Sequence, residues 1–323
     1  MKTSHAIVAV ETSVTDYYYD KASINEVLCN AFLTFHNPQR PPRAAVNLLV
    51  DVALWGAQLR AFAELHSLPV GEGSPEEQAQ RVQEIIFGKP RAVKAGGALG
   101  NTVDTLFNAT IDGISLADGV FVTTVGEGPA GEAFTISLAD KLIMPEPRGH
   151  QMEAHIFPLH EDRIIATQTS FTNAASNHMS PVQLDDAGIG PDTKMVMLGG
   201  YMFYTGLYGP FLEKILEKVA AVSPHPEQRP AIVLTPAAQP IAESPVLHEA
   251  LKRASLTAPL VVPANTGEFR RLMGLDMEWR KPHEAKWWFN AVGDKLAAMP
   301  DVGLDPNTQE GVEQLINYGG PGL

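Results

Sequence analysis

The amino-acid sequence predicts an α/β fold, a central mostly parallel sheet sandwiched by helices, and three observations carry that prediction. Apolar runs of strand length recur at His5 to Val10, Gly119 to Val125, Met195 to Leu198 and Ala231 to Leu234. Helical segments lie near the C-terminal side of the later runs, as parallel strands joined by crossover helices require. The 323 residues are 45% hydrophobic, enough to fill the core of a large α/β domain.

In chain order, His5 to Val10 reads as a buried opening strand. Tyr17, Tyr18 and Tyr19 would alternate across a second strand, where they wall a pocket or pack a lid. Residues 44 to 66 carry apolar side chains at helical spacing, and Gly71 to Gly73 break the pattern. A helix should start after Ser74, which can cap it; Pro75 suits the first turn and Glu77 completes a capping box ahead of Val82, Ile85 and Ile86. Two extended pieces within 153 to 169, joined at His160, Glu161 and Asp162, read as a hairpin. The proline-rich stretches at 37 to 42 and 224 to 230 read as loops, and no internal repeat is found.

Composition narrows the function. A net charge of −13, with 24 basic residues spread thinly, speaks against wrapping nucleic acid and for a small ligand. No run approaches the roughly 18 apolar residues of a membrane helix, and the N-terminus lacks a signal-peptide cleavage site, so a cytoplasmic location is expected. The one cysteine, Cys29, excludes an internal disulfide and has no local support as a nucleophile. No H-x-x-x-H or H-E-x-x-H pair suggests zinc. Trp279, Trp287 and Trp288 fall at roughly helical spacing and read as packing residues.

The informative motif is Ala95-Gly96-Gly97-Ala98-Leu99-Gly100-Asn101-Thr102. Adjacent glycines let backbone approach a ligand closely, and Asn101 presents a carboxamide that both donates and accepts, which suits a sugar hydroxyl. A tight turn leading into a helix is the plainer alternative. A dinucleotide-binding turn is another, although the spacing is not G-x-G-x-x-G and the motif lies far from the opening strand.

The segment resembles the GGxxxN signature of the ribokinase, or PfkB, carbohydrate kinase family, and AGGALGNT is similar to the form in bacterial inosine-guanosine kinases. VTTVGEGPAGEAF (122 to 134), RIIATQTSFTN (163 to 173) and LVVPANTGEFRRLMG (260 to 274) resemble further family landmarks in the same order. The likeness spans roughly residues 5 to 275 and is thin between 17 and 90. It implies a single ribokinase-like domain over 1 to 323, C-terminally incomplete, with lid segments near 11 to 30 and 153 to 172 and an inserted helical region near 44 to 90.

In the family an Asp after the first strand accepts from paired sugar hydroxyls, and VAVETSVTD places Asp16 there by spacing; Glu11-Thr12 stands where Gly-Asn is usual. An ordinary turn carboxylate is the alternative. The resemblance gives Asp16, Gly96, Gly97 and Asn101 the ribose, and Arg163 a phosphate, unless Arg163 is simply an exposed hairpin residue. Asn265 and Glu268, spaced i to i+3, would organise Mg²⁺ or cap a helix, and the two roles are compatible.

The reaction implied is transfer of the γ-phosphoryl of ATP, with Mg²⁺, to the 5′-hydroxyl of inosine, guanosine or adenosine. A sugar kinase of the same family and a catalytically silent nucleoside-binding protein are the alternatives. The family's G-A-G-D segment, whose Asp is the base, is not found after Asn265, so the catalytic residue is unknown and little turnover is expected; truncation of a longer protein is preferred over a natural pseudokinase. Expected partners are the nucleoside and ATP, with no nucleic acid and no membrane, and with room for a homodimer through the lid.

Overall fold

A computed structural model of the chain describes residues 4–36, 46–108, 110–111, 114–115, 118–138, 141–143, 146–159, 162–237, 239–242, 244–264, 268 and 271–272. The chain divides into two compact units, the first comprising the described residues of Met1–Glu11, Ala109–Val122 and Ser180–Leu323, the second those of Thr12–Asn108 and Thr123–Met179.

The strands are β1 (Ile7–Val10), β2 (Val14–Tyr19), β3 (Val46–Asp51), β4 (Pro90–Gly96), β5 (Thr110–Ile111), β6 (Ile114–Ser115), β7 (Gly119–Val122), β8 (Leu142–Ile143), β9 (Met152–Leu159), β10 (Asp162–Thr169), β11 (Met195–Leu198), β12 (Ala231–Leu234) and β13 (Leu260–Val261). The helices are α1 (Glu26–His36), α2 (Val52–Leu65), α3 (Pro75–Phe87), α4 (Gly97–Asn108), α5 (Pro129–Leu138), α6 (Tyr208–Val222), α7 (Gln239–Ala242) and α8 (Pro245–Thr257).

In the first unit five strands lie in the order β13-β12-β11-β1-β7, with every neighbouring pair parallel. All four residues of β1 and of β7 are buried. Parallel strands covered on both faces read as continuous apolar runs, which is why IVAV and GVFV show no alternation. Helix α6 buries Tyr208, Phe211, Leu212, Ile215, Leu216 and Val219, the 3–4 spacing of one helical face, and packs against α8. The apolar runs expected at 195 to 198 and 231 to 234 are β11 and β12, while the run from Gly119 stops as a strand at Val122. No helix among the described residues is long and apolar enough to cross a membrane.

The second unit carries a mixed sheet of five strands, ordered β3-β10-β9-β2-β4. The hairpin expected within 153 to 169 is its β9–β10 pair. Alternation along β2 sends Val14, Asp16 and Tyr18 to one face and Thr15, Tyr17 and Tyr19 to the other. On the Tyr19 face, α1, α2 and α3 cover the sheet with Phe32, Trp55, Leu59, Phe62, Val82, Ile86 and Phe87, packed against Phe157 and Ile164. Tyr17 and Tyr19 belong to this packing, with Tyr17 stacked on His155 at 4.7 Å between ring centroids. On the opposite face Val14 clusters with Met152 and Ala154.

The helical spacing read over 44 to 66 is corrected by the structure: Val46–Asp51 is strand β3, and the helix begins at Val52. Two causes act together. Asp51 caps α2, its carboxylate accepting from the backbone N–H groups of Ala53 and Leu54. The preceding VNLLV run then finds a parallel partner in β10, more than a hundred residues away, and local periodicity carries no sign of that pairing. The capping box at Ser74 and Glu77 is formed in both directions, with Pro75 in the first turn of α3.

Candidate functional site

The site is built where β2 begins, β4 ends and α4 starts. β2 and β4 are antiparallel, and their register sets Val14 opposite Gly96 and Asp16 opposite Lys94. The Asp16 carboxylate crosses Gly96 so closely that a Cβ there would stand 1.9 Å from Asp16 Oδ1, and any larger residue would expel it. Gly97 has φ +79°, a left-handed backbone that lets the strand turn directly into the helix and that side chains disfavour. One turn into α4, Asn101 Nδ2 donates to Asp16 Oδ2 at 3.0 Å and to the Gly97 carbonyl at 3.1 Å. Tyr18, two residues along β2 on the same face, donates its hydroxyl to Asp16 Oδ2 at 3.1 Å.

Asp16 is 4% exposed. Burial raises its proton affinity above the ordinary carboxylate value, opposed by the hydrogen bonds from Asn101, Tyr18 and the Gly97 backbone and by the charge of Lys94. A desolvated carboxylate fixed by two side-chain donors can accept from adjacent hydroxyls of a polyol. The turn-into-helix alternative for Gly96 and Gly97 holds at the same time, since the turn is what delivers the backbone to Asp16.

Of the residues singled out in the sequence, Asp16, Gly96, Gly97 and Asn101 are brought together here. The backbone of Arg163 lies on β10, apart from that of Asp16. On β10 it pairs with Pro158, four residues along from Thr167, the position aligned through Ala154 with Asp16, a separation of about 13 Å at strand rise. The Arg163 side chain and Asn265 lie outside the described residues, as do Trp279, Trp287 and Trp288. Glu268 is helical and 7% exposed. Among the described residues no group of three or more His, Cys, Asp and Glu is placed to hold a metal.

Glu11, which stands where the resembled family has Gly, is fully buried at the end of β1. Its carboxylate occupies the space a side chain at Gly199 would need, a Cβ there lying 2.0 Å from Glu11 Oε1. The larger residue at 11 is thus matched by the absence of one at 199. Cys29 is buried, and burial pushes its thiol up to about 12, so it is no nucleophile at neutral pH. Tyr18 and Lys94 also act on Asp16, and the Gly-rich motif carries no sign of either; period-two alternation along β2 is the signal that places Tyr18 beside Asp16.

The chain matches no protein family and no curated protein. It is similar to solved structures of two kinases. One is adenosine kinase from Schistosoma mansoni in complex with 2-fluoroadenosine, with TM-score 0.52 and 12% identity over 84% of this chain and 67% of that one. The other is adenosine kinase of Trypanosoma brucei brucei, with TM-score 0.50 and 12% identity over 85% and 71%. The likeness shows the fold: a ribokinase-like α/β architecture.

Proposed function

We propose that the chain binds the ribose of a purine nucleoside at Asp16, Gly96, Gly97 and Asn101, as part of an ATP-dependent kinase acting on the 5′-hydroxyl. The observation that carries the reading is the Asp16 carboxylate, 4% exposed and held through Oδ2 by Asn101 and Tyr18 beside a glycine that no other residue could replace without moving it. The AGGALGNT form favours a nucleoside over a free sugar, while the fold shared with the adenosine kinases suits a kinase of either.

In this reading Asp16 accepts hydrogen bonds from the neighbouring ribose hydroxyls, while Asn101 fixes the carboxylate and completes the contacts to the sugar. The two residues orient the substrate, and orientation is a principal source of rate in phosphoryl transfer. MgATP would supply the phosphoryl group. The buried oxygen donor Glu268 suits Mg²⁺, which takes one or two protein carboxylates alongside phosphates, and Asn265 would join it.

Isothermal calorimetry with inosine, guanosine, adenosine and ribose tests the binding half of the reading independently of turnover. Asp16→Asn should weaken nucleoside binding by about 1.5–3 kcal/mol, the range for a hydrogen bond to a charged group. Unchanged affinity in a folded Asp16→Asn protein removes Asp16 from the site, and binding of ribose without any nucleoside favours a sugar kinase.

A further inference from the structure

The structure points to one more residue of the site. We propose that Lys94 is a positioning residue for the sugar-binding carboxylate: its ammonium holds the Tyr18 ring, whose hydroxyl donates to Asp16, and its charge offsets that of Asp16 across the β2–β4 ladder. This rests on the reading of Asp16 as the sugar acceptor.

Lys94 is the direct cross-strand partner of Asp16, with the two Cα atoms in register. Side chains so paired lie on the same face of the sheet, close enough for opposite charges to interact. Lysine on an edge strand such as β4 ordinarily extends into water and discourages edge-to-edge pairing. Here the side chain is half-buried, and Nζ lies 5.4 Å from the centroid of the Tyr18 ring. That is within the range of a cation–π contact. The Tyr18 hydroxyl, at the other end of the same ring, donates to Asp16 Oδ2 at 3.1 Å. Lys94, Tyr18, Asp16 and Asn101 therefore form one continuous chain of contacts, from a strand edge to a helix turn.

Among the described side chains, the titratable and charged groups that face Asp16 are Tyr18 from its own strand and Lys94 from β4. β9 offers Ala154 in the same row, and α4 offers the uncharged Asn101 amide and the Gly97 N–H. Lys94 is the one cation in this set. Its Coulombic effect favours the ionised form of Asp16, against the larger effect of burial. A protonated Asp16 would give one oxygen to its own proton and lose acceptor capacity toward a diol. Removing the Lys94 charge should narrow, from the acid side, the pH range over which the site binds.

The test uses the full chain in four forms: wild type, Lys94→Met, Lys94→Arg and Tyr18→Phe. Carboxyl carbon NMR follows the titration of Asp16 without ligand, and calorimetry follows inosine binding across pH. The expected result for Lys94→Met is an upward move of the Asp16 midpoint and a matching move of the acid limb of binding. At neutral pH its affinity should fall roughly two- to fivefold, the range of a partly exposed cation–π contact. Lys94→Arg, which keeps the charge and stacks on aromatic rings, should restore both curves. Tyr18→Phe should move the midpoint upward while keeping the ring.

An Asp16 midpoint and binding profile in Lys94→Met that superpose on those of the wild type overturn the proposal, as does Lys94→Arg behaving like Lys94→Met. Should Lys94→Met not fold, Lys94→Gln is read in the same way. If no nucleoside binds the wild type but the midpoint still moves, the nucleoside reading fails and the role of Lys94 toward Asp16 stands.

Discussion

Burial makes Asp16 hold its proton more tightly in the folded chain than in the unfolded one, despite the donors around it. By linkage, the folded state binds more protons between the ordinary carboxylate value and the raised one. The contribution of Asp16 to stability is present below that window and lost as pH rises through it. At neutral pH the ionised carboxylate is thus a cost to the fold, consistent with a group kept for binding. Asp16→Asn should therefore raise the melting temperature at pH 7 while weakening nucleoside binding. A lowered melting temperature would show that Asp16 serves the fold instead. Asn101→Leu should hurt binding more than stability, because the amide donates to the carboxylate and to the Gly97 carbonyl at a half-buried position. Unaltered calorimetry with a collapsed melting temperature would make Asn101 a structural cap. Gly96→Ala must displace the Asp16 carboxylate, and binding should fall by at least about tenfold, the loss of one charged hydrogen bond.

At the scale of elements, a second polar chain fixes β2 from its other face. Tyr19 bonds His155 Nδ1 at 2.9 Å; Gln83 Nε2 donates to the Tyr19 hydroxyl at 3.3 Å, and Trp55 Nε1 donates to Gln83 Oε1 at 3.1 Å. His155 Nε2 faces Glu153 at 3.5 Å. The chain ties strands β2 and β9 to helices α2 and α3 inside an otherwise apolar layer, where an abandoned donor or acceptor is costly. Tyr19→Phe should destabilise by about 1–3 kcal/mol in urea unfolding, with inosine affinity unchanged if the two faces of β2 act independently. A loss of affinity at preserved stability would couple the faces instead. Local rules made much of this legible: Ser74, Pro75 and Glu77 announce α3, and the apolar runs at 195 to 198 and 231 to 234 are strands with the bounds they suggest. β3 was not legible, because its identity depends on pairing with β10. In the candidate site, Gly96, Gly97 and Asn101 stand out within one turn of sequence, and Asp16 only through the family resemblance that places an Asp after the first strand. Lys94 was hidden, since only the β2–β4 register sets it opposite Asp16.

For the whole molecule, the same chain forms two cores of different make. One is a parallel sheet with α6 and α8, and the other is a mixed sheet whose helices α1 to α3 supply most of its aromatic rings. The candidate-site residues Asp16, Gly96, Gly97 and Asn101 all lie within Thr12–Asn108, a part of the second unit. A ligand held by them stabilises the folded chain by RT ln(1 + [L]/Kd), about 2.7 kcal/mol at a hundredfold excess over Kd. A thermal-shift panel of purine nucleosides, ribose, fructose, ATP and NAD therefore reads the reaction class from the unmodified protein. The nucleoside reading expects the largest rise with inosine, guanosine or adenosine and none with NAD. The rise should disappear in Gly96→Ala, where the turn stays but Asp16 is displaced. A rise with NAD and none with nucleosides would return the Gly-rich turn to dinucleotide binding. A rise with fructose or ribose alone would keep the acceptor carboxylate and change the substrate, because Asp16 and Asn101 recognise hydroxyls and the base must be recognised by other side chains.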